Sequence, residues 1–357
     1  MRKGIAAAGC AAFIATTAAA CGTAGNLSAG AKVQQALDRL GEQKAAALSV
    51  GFDGGEQQIW SALKGEDGFT QEDAKLLAGL DVSLSMSATK PLKDIKGNDA
   101  ASVALRVSLG QGKDLVEVRS LAGKKTYLRV DLRQFMSIAE DLGTKQDKSD
   151  MKEFQQFLDA ADGLPSSYKS VKDALGGKWV SVDLKAFEEF SKSMAKDSPA
   201  GSPLPDTSAL DAKTQARITK ALREALENNA KFADAGSKDG ADHVKVTVPA
   251  GKTADALAKA LEPVADQLPD GFSPADLEKV PDKDVTLDVA VKDGALSGIT
   301  LDLDQFDTGD EIHGALPLTV GFASDAGTVA APAGATPLNP QDVMGAVMQL
   351  MMGGMDA

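Results

Sequence analysis

The chain has 357 residues, of which 43% are hydrophobic but only 4% are aromatic, and its formal net charge is −13. A chain of this length can bury one large core or two ordinary ones, built here mostly from aliphatic side chains. The acidic balance argues against the basic patches by which proteins bind nucleic acid or adhere to an anionic membrane surface.

The first twenty residues have the pattern of a secretory signal rather than that of a folded element. Arg2 and Lys3 precede an uncharged, alanine-rich stretch that ends in three alanines directly before Cys21. This order predicts a bacterial lipoprotein signal over residues 1–20 and a diacylglyceryl anchor on Cys21. The small residues that follow predict a flexible tether over 21–30.

Two other interpretations of this end of the chain fit less well. Cleavage before Cys10 would leave almost no apolar segment, and an uncleaved membrane anchor needs about 20 predominantly apolar residues. With Cys21 acylated, the mature chain has no second cysteine and therefore no disulfide. The sequence thus predicts a protein anchored by lipid on the extracytoplasmic face of a cell membrane, with a fold held by burial alone.

The first part of the predicted domain begins with helices and changes to strands. Apolar residues at helical spacing predict a helix over 32–46, LSVGF predicts a strand over 48–52, and a helical region follows over 54–79. From Leu80 to Val130 the period changes to two, and glycine-rich turns separate four strand-sized runs. Alternating strands with short connections predict an antiparallel meander with one apolar face.

One stretch of sequence occurs twice. YLRVDLRQF at 127–135 returns as WVSVDLKAF at 179–187, so an aromatic residue and an alternating strand lead each time to Asp131 or Asp183 and a helical pattern. An aspartate at this position can accept hydrogen bonds from the free N–H groups of the first helical turn. The repeat therefore predicts two strand-to-helix corners of the same construction rather than a repeated functional motif.

The middle of the chain is predicted to be largely helical. Helical patterns occupy 132–142, 150–162 and 184–196, and a linker rich in proline and serine then leads to a long amphipathic helix over 209–234. Strands return after this region, at 243–248, 285–291, 296–303 and 316–322. The dipeptide Asp-Gly at 293 and 294 predicts a β-hairpin between two of them.

The last 35 residues change in character. Residues 323–357 combine a flexible segment, GTVAAPAGATP, with a helical pattern that carries Met344, Met348 and Met351. Methionine at helical spacing most often fills an irregular groove in a protein's own core. A mobile plug or an adaptable surface for apolar ligands is the alternative.

Residues for catalysis or metal binding are scarce. The two histidines, His243 and His313, lie in neither a GxSxG nor an HExxH motif. The acidic run at 302–311 resembles a calcium loop, but Phe306 and Asp307 stand where an EF-hand needs an oxygen ligand and a glycine. The sequence therefore predicts no metal, no cofactor and no enzyme, with a glycosidase built on two carboxylates as the alternative.

The order of the segments resembles a known family. After the cysteine and tether come VQQALDRL, GKKTYLRVDL, GGKWVSVDL, HVKVTVPAGKTADALAKALEP and DVTLDVAVKDGALSGITLDL. In this order they resemble the actinobacterial lipoproteins of the LppX/LprG type, which share the LolA-like fold. The resemblance covers most of residues 31–322, and the helical insertions near 54–79 and 135–230 and the methionine-rich tail depart from it.

The resemblance implies an α+β fold in which a strongly curved antiparallel sheet, a half-barrel, packs over several helices. It also implies an apolar cavity between sheet and helices that holds a lipid, a glycolipid or a lipidated molecule for binding and transfer. The alternative is a scaffold lipoprotein with a filled core that binds an envelope protein through its acidic surface or its tail. The inward alternation gives these candidate cavity residues: Val103, Leu105, Val107, Leu287, Val289, Leu301 and Leu303.

Overall fold

The computed structural model describes residues 28–95, 101–110, 113–122, 125–142, 145–197, 230–267, 273–277, 280, 282–306, 312–323 and 326–353. The predicted signal, Cys21 and most of the tether lie outside these ranges. So does most of the predicted amphipathic helix over 209–234.

The described residues form twelve strands and ten α-helices. The strands are β1 (Ala45–Phe52), β2 (Leu80–Ala88), β3 (Ala101–Leu109), β4 (Lys113–Ser120), β5 (Thr126–Val130), β6 (Val180–Val182), β7 (Lys231–Lys238), β8 (Ala241–Pro249), β9 (Asp284–Lys292), β10 (Ala295–Asp302), β11 (Pro317–Ala323) and β12 (Thr336–Leu338). The helices are α1 (Ala29–Glu42), α2 (Glu56–Leu63), α3 (Gln71–Gly79), α4 (Leu132–Leu142), α5 (Lys145–Asp162), α6 (Lys169–Leu175), α7 (Leu184–Asp197), α8 (Ala250–Leu261), α9 (Pro274–Leu277) and α10 (Pro340–Gly353).

The chain divides into two compact units, each of which combines helices with an unclosed sheet. Unit 1 comprises Met1–Asp67, Ala88–Asp99 and Ser208–Ala326, with strand order β1-β11-β10-β9-β8-β7. Unit 2 comprises Gly68–Ser87, Ala100–Thr207 and Gly327–Ala357, with strand order β12-β6-β5-β4-β3-β2. The predicted α+β class, with a largely antiparallel arrangement of strands and several helices, is confirmed. The boundaries of the predicted domain over 31–322 stay a prediction.

Helix α1 supplies the helical side of the core of unit 1. Val33, Ala36 and Leu40 recur three and four residues apart, so they share one face of the helix, and each is at most 8% exposed. This helix packs against β7, β8, β9 and β10. Ser28 begins the helix, since its Oγ accepts a hydrogen bond from the N–H of Ala31 at 3.3 Å.

Two hairpins of unit 1 turn on the same dipeptide. The β9–β10 turn places Asp293 at φ 52° and Gly294 at φ 73°, and the β7–β8 turn places Asp239 at φ 53° and Gly240 at φ 78°. Two-residue turns with positive φ at both positions match the twist of the flanking strands, and Asp-Gly is a preferred pair there. The predicted hairpin at 293 and 294 is confirmed.

The prediction of a helix over 209–234 is wrong for residues 231–234. They belong to β7, whose sequence KFADAGSK pairs along β8. Every residue of β7 is exposed, as an edge strand allows, so its sequence lacks the alternation of apolar and polar residues by which strands are recognised. The Asp239-Gly240 pair that closes the β7–β8 hairpin was the signal in the sequence that could have indicated this strand.

The repeated strand-to-helix corner is confirmed at both places. Asp131 Oδ1 accepts a hydrogen bond from the N–H of Gln134 at 2.9 Å, at the start of α4. Asp183 Oδ1 accepts hydrogen bonds from the N–H groups of Lys185 at 3.1 Å and Ala186 at 3.3 Å, at the start of α7. Both carboxylates thus satisfy helix N–H groups that have no partner within the helix.

We expect Asp131→Ala to lower the free energy of unfolding by about 1 kcal/mol, because the first turn of α4 loses the acceptor for an N–H group. Asp131→Asn keeps an oxygen acceptor of the same reach and should retain most of the stability. Urea unfolding of the two variants measures the difference. Unchanged stability in Asp131→Ala would show that the cap does not stabilise this corner, and equal destabilisation by alanine and asparagine would assign the stabilisation to the negative charge.

The described part of the C-terminal tail crosses unit 2 and is held by hydrogen bonds. The N–H of Val329 donates to Ser87 Oγ at 2.9 Å, and Arg119 donates to the carbonyl of Ala330 at 3.1 Å. The tail then forms β12, which runs parallel to β6 and is the parallel pair that the predicted antiparallel meander did not include. Helix α10 follows and packs on α5, α6 and α7.

Candidate functional site

The sheet of unit 1 has an apolar face built from strands that the chain visits at distant positions. Leu301 of β10 lies opposite Leu287 of β9 and opposite Leu318 of β11, and Leu318 lies opposite Phe52 of β1. Directly opposed residues in antiparallel strands point to the same side of a sheet. These four side chains therefore form one apolar row across four strands, which we call the Leu301 row.

A second row runs beside it, two residues along each strand. It consists of Val289, Ile299, Val320 and Val50, again in direct register. Side chains two positions apart on a strand share a face. The apolar face of unit 1 therefore has at least two adjacent rows of aliphatic and aromatic side chains, which is the surface that the alternation in the sequence predicts.

Coverage of this face is uneven. On β8 and β9, the strands on which α1 packs, three side chains are buried: Val244 is 0% exposed, Val246 is 6% exposed and Val289 is 4% exposed. The Leu301 row is only half-buried at all four of its positions. The Leu301 row, from β1 to β9, thus keeps apolar surface in reach of solvent, whereas Val244, Val246 and Val289 belong to the filled core.

An ion pair fixes the start of α1 over the β7–β8 hairpin. Lys32 Nζ lies 2.9 Å from Asp242 Oδ2 and 3.6 Å from Asp234 Oδ2. The hydrogen bond to Asp242 raises the pKa of Lys32. Hydrogen bonds from Ser237 and then Lys32 lower the pKa of Asp242. Both shifts favour the charged forms, so the pair persists through the neutral pH range.

The sheet of unit 2 also has an apolar face that is buried at one end and exposed at the other. Leu105 of β3 lies opposite Val118 of β4, Val118 lies opposite Leu128 of β5, and Leu128 lies opposite Val180 of β6. Val180 is 1% exposed, whereas Leu105 at the other end of the row is 38% exposed. The apolar face of unit 2 is therefore filled at β6 and open at β3.

The structure places six of the seven candidate cavity residues on these faces, in two sets, and the seventh outside the strands. Leu287, Val289 and Leu301 lie on the apolar face of unit 1, and Leu303 begins the short helical turn after β10. The other three, on β3 of unit 2, are Val103, Leu105 and Val107. Leu287 and Leu301 meet directly, while Val289 belongs to the filled part of the core.

Sequence reasoning missed the partners of Leu301. Phe52 and Leu318 complete its row, and both sit on strands that pair over 250 residues apart in the chain. Alternation within β1 and β11 marked them as apolar positions, but only the register shows which row they join.

The opposite face of the unit 2 sheet carries a cluster of paired charges. Glu117, whose side chain is 9% exposed, lies 2.7 Å from Arg119 and 3.3 Å from Arg129. The two guanidinium groups also lie over the ring of Trp179, at 4.8 Å and 5.4 Å from its centre. These contacts are cation–π interactions and explain how the tryptophan of the repeated motif anchors its strand.

Comparison with known proteins gives similarity at a low level. No protein-family model matches the chain, and no curated protein matches it. Among solved structures, the Mycobacterium tuberculosis lipoprotein LppX matches over 85% of this chain and 98% of its own, with 11% identity and a TM-score of 0.31. Similarity at this level assigns neither family nor function, so the resemblance to LppX/LprG-type lipoproteins stays a prediction.

Two of the clefts formed by the described residues are open to solvent, and charged side chains line both. One, of about 660 Å³, lies in unit 2, and the other, of about 350 Å³, lies in unit 1 beside α1 and the two Asp-Gly turns. None of the seven candidate residues lines either cleft. The predicted enclosed apolar cavity therefore stays a prediction, and the observed apolar feature is the pair of half-covered faces.

The two histidines and Asp302 of the acidic run take part in hydrogen bonds within the fold. His243 Nδ1 lies 2.8 Å from Asp288 Oδ2 on the polar face of unit 1, and the N–H of His313 donates to the carbonyl of Ala62 at 2.7 Å. Asp302 Oδ1 accepts a hydrogen bond from the N–H of Leu316 at 2.7 Å, which closes the end of β10. Within the described residues, no group of three or more histidine, cysteine or acidic side chains could hold a metal ion.

Burial and the neighbouring Asp302 carboxylate raise the pKa of Asp304. The rest of the acidic run, residues 307–311, lies outside the described residues.

No helix in the described parts of the chain combines the length and the apolar character that a membrane span requires.

Proposed function

We propose that this chain is a membrane-anchored, extracytoplasmic lipoprotein that binds a lipid or a lipidated molecule on the apolar faces of its sheets and transfers it. The observation that carries the proposal is the Leu301 row, where four large apolar side chains from four strands remain half-buried. A filled core would cover such a row as completely as it covers Val244, which is 0% exposed.

The physical basis is the hydrophobic effect. Each 100 Å² of apolar surface removed from water contributes about 2.5 kcal/mol, so an acyl chain laid along a row of leucine, valine and phenylalanine side chains needs few polar contacts. Binding and transfer of this kind need no catalytic residue. The role thus fits a chain for which we propose no enzymatic activity, no cofactor and no metal.

The proposed anchor places this surface next to its ligand source. A diacylglyceryl group on Cys21 would hold the chain at the outer face of the membrane, and the acidic composition would not add electrostatic attraction to anionic lipids. Lipid, glycolipid or lipidated protein from that membrane are the ligands within reach of the tether.

A second candidate function has its own supporting observation. Val289, one of the candidate cavity residues, is 4% exposed, and Val180 is 1% exposed, so parts of both apolar faces are filled. Filled faces favour a scaffold lipoprotein that binds an envelope protein instead of carrying a lipid.

The test is native mass spectrometry of the whole chain carrying Cys21→Ser, purified from a lipid-containing host, with lipid identification after organic extraction. We expect a stoichiometric co-purified lipid that is lost in Leu301→Trp, because the larger ring fills the row where an acyl chain would lie. Thr300→Trp is the matched control. It adds the same ring to the same strand, but Thr300 points to the opposite, polar face, where its hydroxyl bonds with Thr319 at 2.8 Å.

Lipid loss in Leu301→Trp but not in Thr300→Trp would support binding at the Leu301 row. A ligand-free mass for the parent chain, with no uptake of added lipid, would rule out the carrier and favour the scaffold. Equal lipid loss in both variants would place the ligand elsewhere.

A further inference from the structure

The cleft of unit 2 is a polar feature that the proposed lipid-binding role does not use. Its volume is about 660 Å³, within the range of small-molecule sites. Helices α4, α5 and α6 and the turns next to α6 form its walls. Its lining residues are Arg133, Asp159, Asp162, Ser166, Lys169, Lys172, Asp173, Gly176 and Lys178.

The charges of the lining do not cancel. Four side chains are cationic and three are anionic, in a chain whose net charge is −13. Asp159 and Asp162 both pair with Arg133, at 3.1 Å and 2.8 Å. A local excess of positive charge within an acidic protein is the opposite of what the composition alone would produce.

Asp173 forms the buried floor of the cleft, with a side chain 6% exposed. Lys178 Nζ donates to its Oδ1 at 3.0 Å, Thr336 Oγ1 donates to its Oδ2 at 2.7 Å, and Lys169 donates to the same oxygen. The carboxylate is therefore neutralised by side chains that already surround it. An anion that enters the cleft therefore meets a carboxylate whose negative charge is already compensated.

Lys172 is the fourth cation of the cleft, after Arg133, Lys169 and Lys178 have been paired with the three carboxylates. It is half-buried, and its ammonium donates to the backbone carbonyl of Leu164 at 3.1 Å. Among the described residues it has no carboxylate within ion-pair distance, and an ammonium group has three N–H donors. Two donors of a partly desolvated cation thus remain for a ligand in the cleft, beside the hydroxyl of Ser166.

We propose that this cleft binds a phosphate group, with Lys172 as the residue that holds it. Phosphate oxygens accept charge-assisted hydrogen bonds, which suit an ammonium group with open donors. The cleft has room for the phosphate together with the small polar group that carries it. The proposal does not depend on lipid binding at the Leu301 row, since it uses different residues of a different surface.

The probe is inorganic phosphate, titrated by calorimetry into the whole chain carrying Cys21→Ser in a buffer free of phosphate. We expect saturable binding in the millimolar range or tighter, weakened about tenfold by Lys172→Gln because one charge-assisted contact is lost. Lys172→Arg keeps a cation and should retain binding. Lys252→Gln is the matched control, because it removes an exposed lysine of α8 in unit 1.

Absence of saturable phosphate binding would overturn the proposal, and so would equal weakening by Lys172→Gln and Lys252→Gln. Circular dichroism and the melting temperature establish that each variant is folded, and Lys172→Arg separates loss of charge from loss of structure.

Two further probes distinguish the source of the phosphate, a soluble ester or a lipid headgroup. Glycerol 3-phosphate represents the first, and vesicles of phosphatidic acid in phosphatidylcholine represent the second. Whichever probe binds, the proposal requires that Lys172→Gln weaken its binding. Binding that is unchanged by this substitution contradicts the assignment.

Discussion

Ala346→Asp is expected to lower the free energy of unfolding of unit 2 by about 3–5 kcal/mol, since it places a carboxylate where no water can reach it. Ala346 is 0% exposed in α10 and packs in a cluster with Ala161, Leu164 and Val171. The fit is close at its neighbour as well, where a methyl group on Gly345 would lie 3.0 Å from the ring of Tyr168.

Met348→Asp is the matched control for this prediction. It makes the same change from an apolar side chain to a carboxylate on the same helix, but Met348 is 56% exposed. We expect it to cost less than about 1 kcal/mol. Urea unfolding followed by the fluorescence of Trp179, in a Trp60→Phe background, reports on unit 2, because the only other tryptophan lies in unit 1.

Similar costs for the two substitutions would show that α10 is not an integral part of the core of unit 2. The expected difference bears on the methionine-rich tail. Its sequence allowed either a core element or a mobile plug, and the burial of Ala346 favours the core element for the part of the tail that the structure describes.

Local signals in the sequence predicted those elements that are specified by neighbouring residues. Asp131 and Asp183 cap their helices from one residue before the first turn, and Asp293-Gly294 encodes its own turn. Each of these features needs only a few consecutive residues, so no knowledge of the rest of the fold is required.

Elements defined by distant partners could not be derived in this way. The segment GTVAAPAGATP has the composition of a flexible linker, but its order comes from acceptors and donors on other strands, including Ser87 and Arg119. The exposed edge strand β7 likewise exists because β8 offers it a pairing partner.

The candidate sites also combine features that a local pattern predicts with features that depend on distant residues. Alternation identified Leu287 and Leu301 as residues of one face, because period-two patterns report the face directly. The pattern is silent on which part of a face a helix covers, so it could not separate buried Val289 from the half-buried Leu301 row. The charged cleft was missed because its side chains come from three helices and become neighbours only in the folded unit.

Acid is expected to remove about 2 kcal/mol of stability from unit 2 through the single residue Asp173. Burial alone would raise the pKa of this carboxyl, but hydrogen bonds from Lys169, Thr336 and Lys178 outweigh burial and lower it from 3.8 to about 2. A pKa lower in the folded than in the unfolded chain means that folding favours the charged form. Each pKa unit corresponds to about 1.4 kcal/mol, which gives the expected size.

The sign of the shift fixes the pH range of the effect. The contribution of Asp173 is fully present above its unfolded pKa of 3.8 and is lost as the pH falls toward about 2. Asp173→Asn cannot ionise, so this variant should lose stability at neutral pH and should show a weaker dependence of stability on pH between 4 and 2. Urea unfolding at a series of pH values measures both effects.

Asp162→Asn provides the comparison within the same cleft. Its side chain is 67% exposed where it pairs with Arg133, and exposed ion pairs contribute little to stability. We therefore expect this variant to follow the parent chain through the acid range. If Asp173→Asn also followed the parent, the three donors around Asp173 would not stabilise its charged form, and the compensated floor of the proposed phosphate cleft would lose its physical basis.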